Sequence, residues 1–388
     1  MITVDDALAL LFALAKPLGT ERVSLLDGAG RVLAEPVVAE RDQPPFPASA
    51  MDGYAVAEAR PGDRLTVIGE SAAGARFDGA VGAGQAVRIF TGAPVPPGAT
   101  RIVIQEDVTR DGDTIVIGAA LDTAGYIRPA GNDFCKGARV EAGRILTASD
   151  IALIASMNLP EITVARRPNV ALISTGDELV MPGDALGPDQ IIASNTFGLH
   201  ALLTALGARP RLLPIARDNA ASLKTCFDLA SGADLVITVG GASVGDHDLV
   251  APVAAELGME QAFHKVAMRP GKPLMSGRIG SAMMIGLPGN PVSAMVCGHV
   301  FVAPVIRALL GLPAEPAPRQ EAPLAAPITA NGTREHYMRA RLDDSGLTVF
   351  DRQDSSLLSV LGAANALVVR PVGDPPRAAG ETMSYLPL

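Results

Sequence analysis

Two aspartates, Asp246 and Asp248, follow a glycine-rich turn in the stretch Asp234 to Val250, which reads DLVITVGGASVGDHDLV. Gly240, Gly241 and Ser243 in that turn bring bare backbone and amide-rich loop close to a ligand, which suits phosphate oxygens. Two carboxylates beside an anion repel it unless a cation lies between them. Loop and carboxylates together therefore fit a phosphate with a hard metal such as Mg²⁺. The same two aspartates would equally serve to cap a helix, and the stretch alone supports both readings.

Other loops carry matching equipment. Ser174-Thr175-Gly176-Asp177-Glu178-Leu179 offers hydroxyls and carboxylates, and Asp218-Asn219 adds another acid. Met268-Arg269-Pro270-Gly271-Lys272-Pro273 sets two cations three residues apart. Leu287-Pro288-Gly289-Asn290-Pro291 turns straight into an apolar helix, with Ser293 two residues beyond Pro291. Hydroxyls and amides for phosphate, acids for Mg²⁺ and Arg/Lys for anionic oxygens are the parts of phosphoryl or nucleotidyl chemistry. There is no Walker A loop, because Lys272 is followed by proline, and GGASVG lacks the dinucleotide spacing. The five histidines form neither HExxH nor a close pair, so no zinc site is read.

These loops act together only if strands and helices bring them to one edge. Leu235 to Val239 is a continuous apolar run, the pattern of a strand buried on both faces. A helix is expected from Asp246–Asp248 through Val250, Val253, Ala254 and Leu257. Strands are expected at 169–174, 210–216, 262–268 and 282–287, with helices at 195–206, 220–230 and 292–310, the first of these capped by Ser194. Right-handed crossovers make this a doubly wound α/β domain over residues 166–312, with loops at the carboxyl ends of parallel strands. Residues 1–165 read as a helix followed by a β-rich region of short runs between glycines, the pattern of a small barrel or sandwich. A helix from Ala148 to Met157 is expected there, capped by Ser149. Residues 313–327 are rich in proline and alanine and read as a linker. Residues 328–388 form a small β domain, so 313–388 are linker and C-terminal barrel.

The net charge of −9 argues against general nucleic-acid binding, which needs a basic face. Cys135, Cys226 and Cys297 lie far apart with no CxxC pair, which fits a reducing compartment. Asp5 and Asp6 precede the apolar start, whereas a signal peptide begins basic. No apolar run reaches membrane-spanning length by this reading. A cytoplasmic protein is expected.

In order and spacing, PPFPASAMDGYAV, TGAP, STGDEL, TVGGASVGDHD, MRPGKP and GLPGNPVS resemble the molybdopterin molybdenumtransferase family (MoeA, and the E domain of gephyrin) over essentially the whole chain. The resemblance implies a MogA-like molybdopterin-binding α/β domain. It implies insertion of molybdate into adenylated molybdopterin with Mg²⁺ and release of AMP. It also implies an elongated homodimer with its active site between subunits, fed by a molybdopterin adenylyltransferase. Asp52, Thr91, Glu106, Arg128 and Asp133 match family positions that reach the cleft. Glu178, Asp218, Asp246 and Asp248 match its acidic side, and Arg269 and Lys272 match a basic pair that is commonly two lysines. Pro288, Pro291 and Ser293 match a rigid loop and its follower. Arg339, Ser355 and Ser356 match further anion contacts. In this account Asp52, Glu178, Asp218, Asp248 and Lys272 carry catalysis, with Asp246 and Asp248 on the metal. Ser174, Thr175, Gly240, Gly241, Ser243, Arg269 and the remaining residues hold substrate. Rival readings are an adenylyltransferase-like nucleotidyl enzyme, which would not need the preceding 165 residues, and a non-catalytic molybdopterin-binding scaffold.

Overall fold

The structure, a computed structural model, describes residues 1–241 and 249–388. Contacts divide the chain into two compact units, one of residues 22–29 and 35–163, the other of residues 1–21, 30–34 and 164–388.

In the smaller unit six strands form one sheet: β1 (Gly53–Val56), β2 (Arg64–Ser71), β3 (Gln85–Ile89), β4 (Arg101–Ile104), β5 (Val108–Asp111) and β6 (Thr114–Ile117), in the order β4-β1-β3-β2-β6-β5. Alternating apolar residues fill both sides, with Tyr54, Val56, Leu65, Val103 and Ile115 in one cluster and Ala55, Val87, Ile89 and Ile102 in another. Register decides what gathers at one end. Gly53 pairs with Ile89 of β3 and with Ile104 of β4, so Asp52, Thr91 and Gln105-Glu106 emerge side by side. Gly53 is required there, because a Cβ would run into the Val103 carbonyl. The helix Ala148–Ser156 is capped by Thr147, not by Ser149. Thr147 stands three residues before Asp150, and the two exchange hydrogen bonds as a capping box, whereas Ser149 already lies inside the first turn.

The larger unit holds β7 (Asn169–Ser174), β8 (Arg209–Leu212), β9 (Leu235–Val239), β10 (Glu260–His264), β11 (Met268–Arg269), β12 (Met275–Ile279) and β13 (Ala282–Leu287). Six of these make a sheet in the order β8-β7-β9-β13-β12-β10. β8, β7, β9 and β13 are parallel, and β12 and β10 are antiparallel additions. Every residue of β9 and β13 is buried, as continuous apolar runs require of parallel strands covered on both faces. The helices Val4–Leu14, Asn195–Ala205 and Pro291–Leu309 cover one face, and Ala220–Leu229 and Val250–Glu256 the other.

Pro291–Leu309 is long and apolar enough to cross a bilayer by length and composition, unlike the sequence reading, yet 83% of its apolar window is buried. It is a core helix of this unit. Its middle, Gly298–Val302, widens into π geometry just before Pro304, which lacks the N–H that Val300 would receive in a regular α-turn.

A further sheet combines β11 with β14 (Gln320–Pro323), β15 (Glu335–Asp343), β16 (Gly346–Val349), β17 (Ala366–Arg370) and β18 (Thr382–Pro387), in the order β11-β15-β17-β18-β14, with β16 beside β15. Two expectations change here. Within the predicted linker 313–327, Gln320–Pro323 is an edge strand, where Pro323 costs no ladder bond. The predicted strand 262–268 splits, and Met268–Arg269 pairs in parallel with Glu335–His336. Ser194 occupies the N-cap of the helix at Asn195 as expected, but its side chain makes no cap bond.

Candidate active site

Three parallel strands end at the main cleft of the larger unit, a cavity of about 700 Å³. It is lined by Ser174, Thr175, Glu178, Asp218, Gly240, Gly241, Pro288, Pro291 and Ser356, all expected from the sequence. β7 delivers Ser174 and Thr175, β9 delivers Gly240 and Gly241, and β13 delivers Pro288. Their common direction puts these ends on one edge. The hydroxyls are partly engaged: Ser174 Oγ lies 3.2 Å from Thr196 Oγ1, and Thr175 Oγ1 donates to the Val239 carbonyl at 3.4 Å. The Gly240 N–H donates to the Leu287 carbonyl at 3.1 Å, so Gly240 shapes the cleft instead of cradling phosphate with its own amide, as the sequence suggested.

The acidic rim is built by reciprocal bonds. The Asp218 N–H donates to Asp177 Oδ1 at 3.1 Å, and the Asp177 N–H to Asp218 Oδ2 at 3.4 Å. Arg217 Nη1 donates to the carbonyls of Asp177 and Leu179. Glu178 and Asp218 are exposed, and their carboxylate oxygens are the hard donors that Mg²⁺ prefers. Among the described residues no three His, Cys, Asp or Glu side chains are grouped to hold a metal ion. Ser243, Asp246 and Asp248 lie outside the described residues.

A second pocket of about 270 Å³ shares Pro273 and Asn290 with the cleft. It is lined by Arg269, Lys272, Ser293 and Ser355, and by Arg334, Gln353 and Asp354. Gly271, at φ +113°, lets the loop between the two cations bend over a sulfur floor. A Cβ there would stand 2.5 Å from Cys297 Sγ and 3.0 Å from Met268 Sδ. Ser293 is buried at the first turn of the helix. Asp354 accepts from the Ser356 hydroxyl and amide at 2.6 and 2.8 Å, which holds its carboxyl below the usual range. Arg339 lines neither cavity. It is fully buried beneath the 352–354 loop, donating through Nη2 to the Arg352 and Asp354 carbonyls, while Nε and Nη1 have no partner. His336 beside it is pushed down to about 4 by burial and by the charges of Arg269, Arg339, Arg370 and Arg334.

The remaining expected residues belong to the smaller unit. Asp52 Oδ1 accepts from the Thr91 N–H and hydroxyl at 2.7 and 2.8 Å. Those two bonds, backbone first, hold its carboxyl below the ordinary aspartate range, with help from Arg88. Glu106 is exposed beside them, receiving the Gln105 amide at 3.2 Å. Arg128 and Asp133 line a separate cavity of about 600 Å³ with Pro44, Phe46 and Gly92. The 43–47 segment is tied to this wall by the Asp133 N–H, which donates to the Gln43 carbonyl.

Residues 2–158 match the MoeA N-terminal region (domain I and II), residues 171–308 a probable molybdopterin binding domain, and residues 321–388 the MoeA C-terminal region (domain IV). A molybdopterin molybdenumtransferase of Nostoc sp. is 36% identical over 410 residues, spanning 100% of this chain and 94% of the relative. The chain belongs to the molybdopterin molybdenumtransferase family. The family's enzyme in Bacillus subtilis is 32% identical, over 99% of this chain and 94% of its own. A crystal structure of the molybdopterin biosynthesis MoeA protein from Pyrococcus horikosii covers 100% of this chain and 99% of that one, with 31% identity and a TM-score of 0.85. Molybdopterin molybdenumtransferases are transferases of molybdenum cofactor biosynthesis, and that is the class of this chain.

Several lining residues had no signal in the sequence. Ile191 and Ile192 form an apolar wall of the cleft from a two-residue strand too short to show a period. Asn195, read only as the start of a helix, donates Nδ2 to the Gly289 carbonyl at 2.7 Å and so pins the Pro288-Gly289-Asn290 turn. Arg334 and Gln353 line the cationic pocket from loops without a motif.

Proposed function

We propose that this chain inserts molybdate into adenylated molybdopterin in a Mg²⁺-dependent reaction that releases AMP. The observation that carries this reading is the pairing of an acidic, hydroxyl-lined cleft with a cationic pocket across the shared wall of Pro273 and Asn290. The two neighbouring sites have opposite electrostatic character, as a substrate phosphoanhydride with a metal and a free oxyanion would need.

Molybdate, a tetrahedral dianion, suits the second pocket. Arg269 offers a planar fork, Lys272 a compact charge and Ser293 a hydroxyl, in a pocket that shares Pro273 and Asn290 with the cleft where the pterin would bind. The Ser174–Thr175 edge, Gly241 and the Pro288-Gly289 turn orient the pyrophosphate. Mg²⁺ would be held by Glu178 and Asp218 together with Asp246 and Asp248, and supplies charge neutralisation as the phosphoanhydride opens. In the homodimer that the family resemblance implies, Asp52 and Glu106, with Thr91, Arg128 and Asp133, would face the substrate from the other subunit. In this reading Arg339 acts indirectly, its buried charge adding to the field behind the pocket. The protein works as a cytoplasmic homodimer that takes its substrate from a molybdopterin adenylyltransferase.

The test is incubation of the purified chain with adenylated molybdopterin, Mg²⁺ and molybdate. Molybdate-dependent AMP release is expected. Tight binding of the pterin without AMP release would indicate a scaffold, and AMP-forming activity indifferent to molybdate a nucleotidyl enzyme; either result overturns the reading.

A further inference from the structure

Arg88 belongs to none of the motifs that point to the site, yet it bonds one chain neighbour of each of two of its carboxylates. On β3 it pairs across the sheet with Tyr54 of β1. Its guanidinium lies over the Tyr54 ring at 5.1 Å and over the Phe90 ring at 4.7 Å, so a ring on β1 and a ring just past the end of β3 fix its plane. From that position Nη1 donates to the Gly53 carbonyl at 3.1 Å, on the residue after Asp52. Nη2 donates to Gln105 Oε1 at 2.7 Å. The guanidinium has donors only, so it fixes which way the Gln105 amide points. The Gln105 NH₂ then faces Glu106 and donates to its Oε1 at 3.2 Å.

We infer that Arg88 is a positioning residue of the transferase reaction, setting the Asp52 turn through Gly53 and the Glu106 carboxylate through Gln105. Lysine cannot replace it, because one ammonium lacks the two-pronged fork that reaches acceptors on β1 and beyond β4 while lying flat between rings. The inference rests on the reading that Asp52 and Glu106 act on the substrate.

The experiment measures kcat and KM for molybdate-dependent AMP release, with thermal unfolding, for Arg88→Lys, Gln105→Met, Glu106→Gln, Asp52→Asn and the double variant Gln105→Met with Glu106→Gln. Arg88→Lys and Gln105→Met should each lower kcat roughly tenfold with KM changed less than about threefold, as loss of an orienting partner does. In the Glu106→Gln background, Gln105→Met should cost nothing more. Full activity in Arg88→Lys overturns the inference, and so does a Gln105→Met loss that multiplies that of Glu106→Gln. Should Arg88→Lys fail to fold, the exposed Gln105 and its double variant decide alone. Unchanged rates in both Asp52→Asn and Glu106→Gln would overturn the reading beneath, and the inference with it.

Discussion

Gly240→Ala isolates the geometry on which the cleft depends. Gly240 follows the last residue of β9, at φ +94°, where an L side chain is strained. A methyl group there would also stand 2.7 Å from Thr175 Oγ1 and 2.8 Å from the Thr175 carbonyl, closer than any Cβ is tolerated. Backbone strain of about 1–2 kcal/mol and overpacking of about 1–3 kcal/mol add to roughly 2–5 kcal/mol. That predicts a fall in Tm of roughly 4–10 °C. The clash is relieved by moving the end of β9 away from Thr175, which separates two of the three strand ends that build the cleft. Displacement by about an ångström is expected to lower AMP release roughly a hundredfold. Gly289→Ala is the control, since its Cβ would meet nothing nearer than Gly240 Cα at 3.5 Å. Its Tm should stay within about 1 °C. Differential scanning calorimetry with a steady-state AMP assay reads both. A Gly240→Ala protein with unchanged Tm and rate would refute the argument that close strand-end approach sets this site.

His336 titrates near 6.5 when unfolded and is pushed down to about 4 when folded, so the unfolded chain binds the extra proton between those values. Stability should be full above about pH 6.5 and fall by about 3 kcal/mol as pH drops towards 4, and His336→Gln should remove that slope in denaturant titrations. Asp374 pairs with the buried Arg370 and with Arg377; Asp374→Ala should cost about 3–5 kcal/mol by urea unfolding, because a buried guanidinium loses its carboxylate. Asn195→Ala should release the Gly289 carbonyl, lower stability by about 1 kcal/mol and raise KM for the pterin several-fold with kcat less affected, read by steady-state kinetics.

Local chemistry made much of this chain legible. The unbroken run Leu235 to Val239 announces a strand buried on both faces, and the glycines after it announce a close backbone approach; both are observed. The loops at the ends of β7, β9 and β13 line one cavity because consecutive crossovers leave parallel strands no other arrangement. What was misread depends on spacing or on distance along the chain. Thr147 and Ser149 are both capping residues, and only the three-residue offset to Asp150 selects the first. The pairing of Arg269 with His336 joins residues 67 positions apart, and no local period reports it. Arg88 is a single cation in an ordinary strand, and its role becomes visible only when Tyr54, Phe90 and Gln105 converge on it.

The short strand Met268–Arg269 has a consequence for how such proteins are divided. It lies in sequence within the α/β region, but its ladder partners, Glu335 and His336, belong to the C-terminal segment. Arg334, Gln353 and Ser355 from that segment then close the pocket that Arg269 and Lys272 open. The C-terminal residues are therefore not a detachable cassette. An α/β region cut free at residue 312 loses Ser356 from its acidic cleft and leaves the cationic pocket without Arg334, Gln353, Asp354 and Ser355. Exchange of modules between relatives should respect this seam, carrying residues 268–273 together with the tail that encloses them.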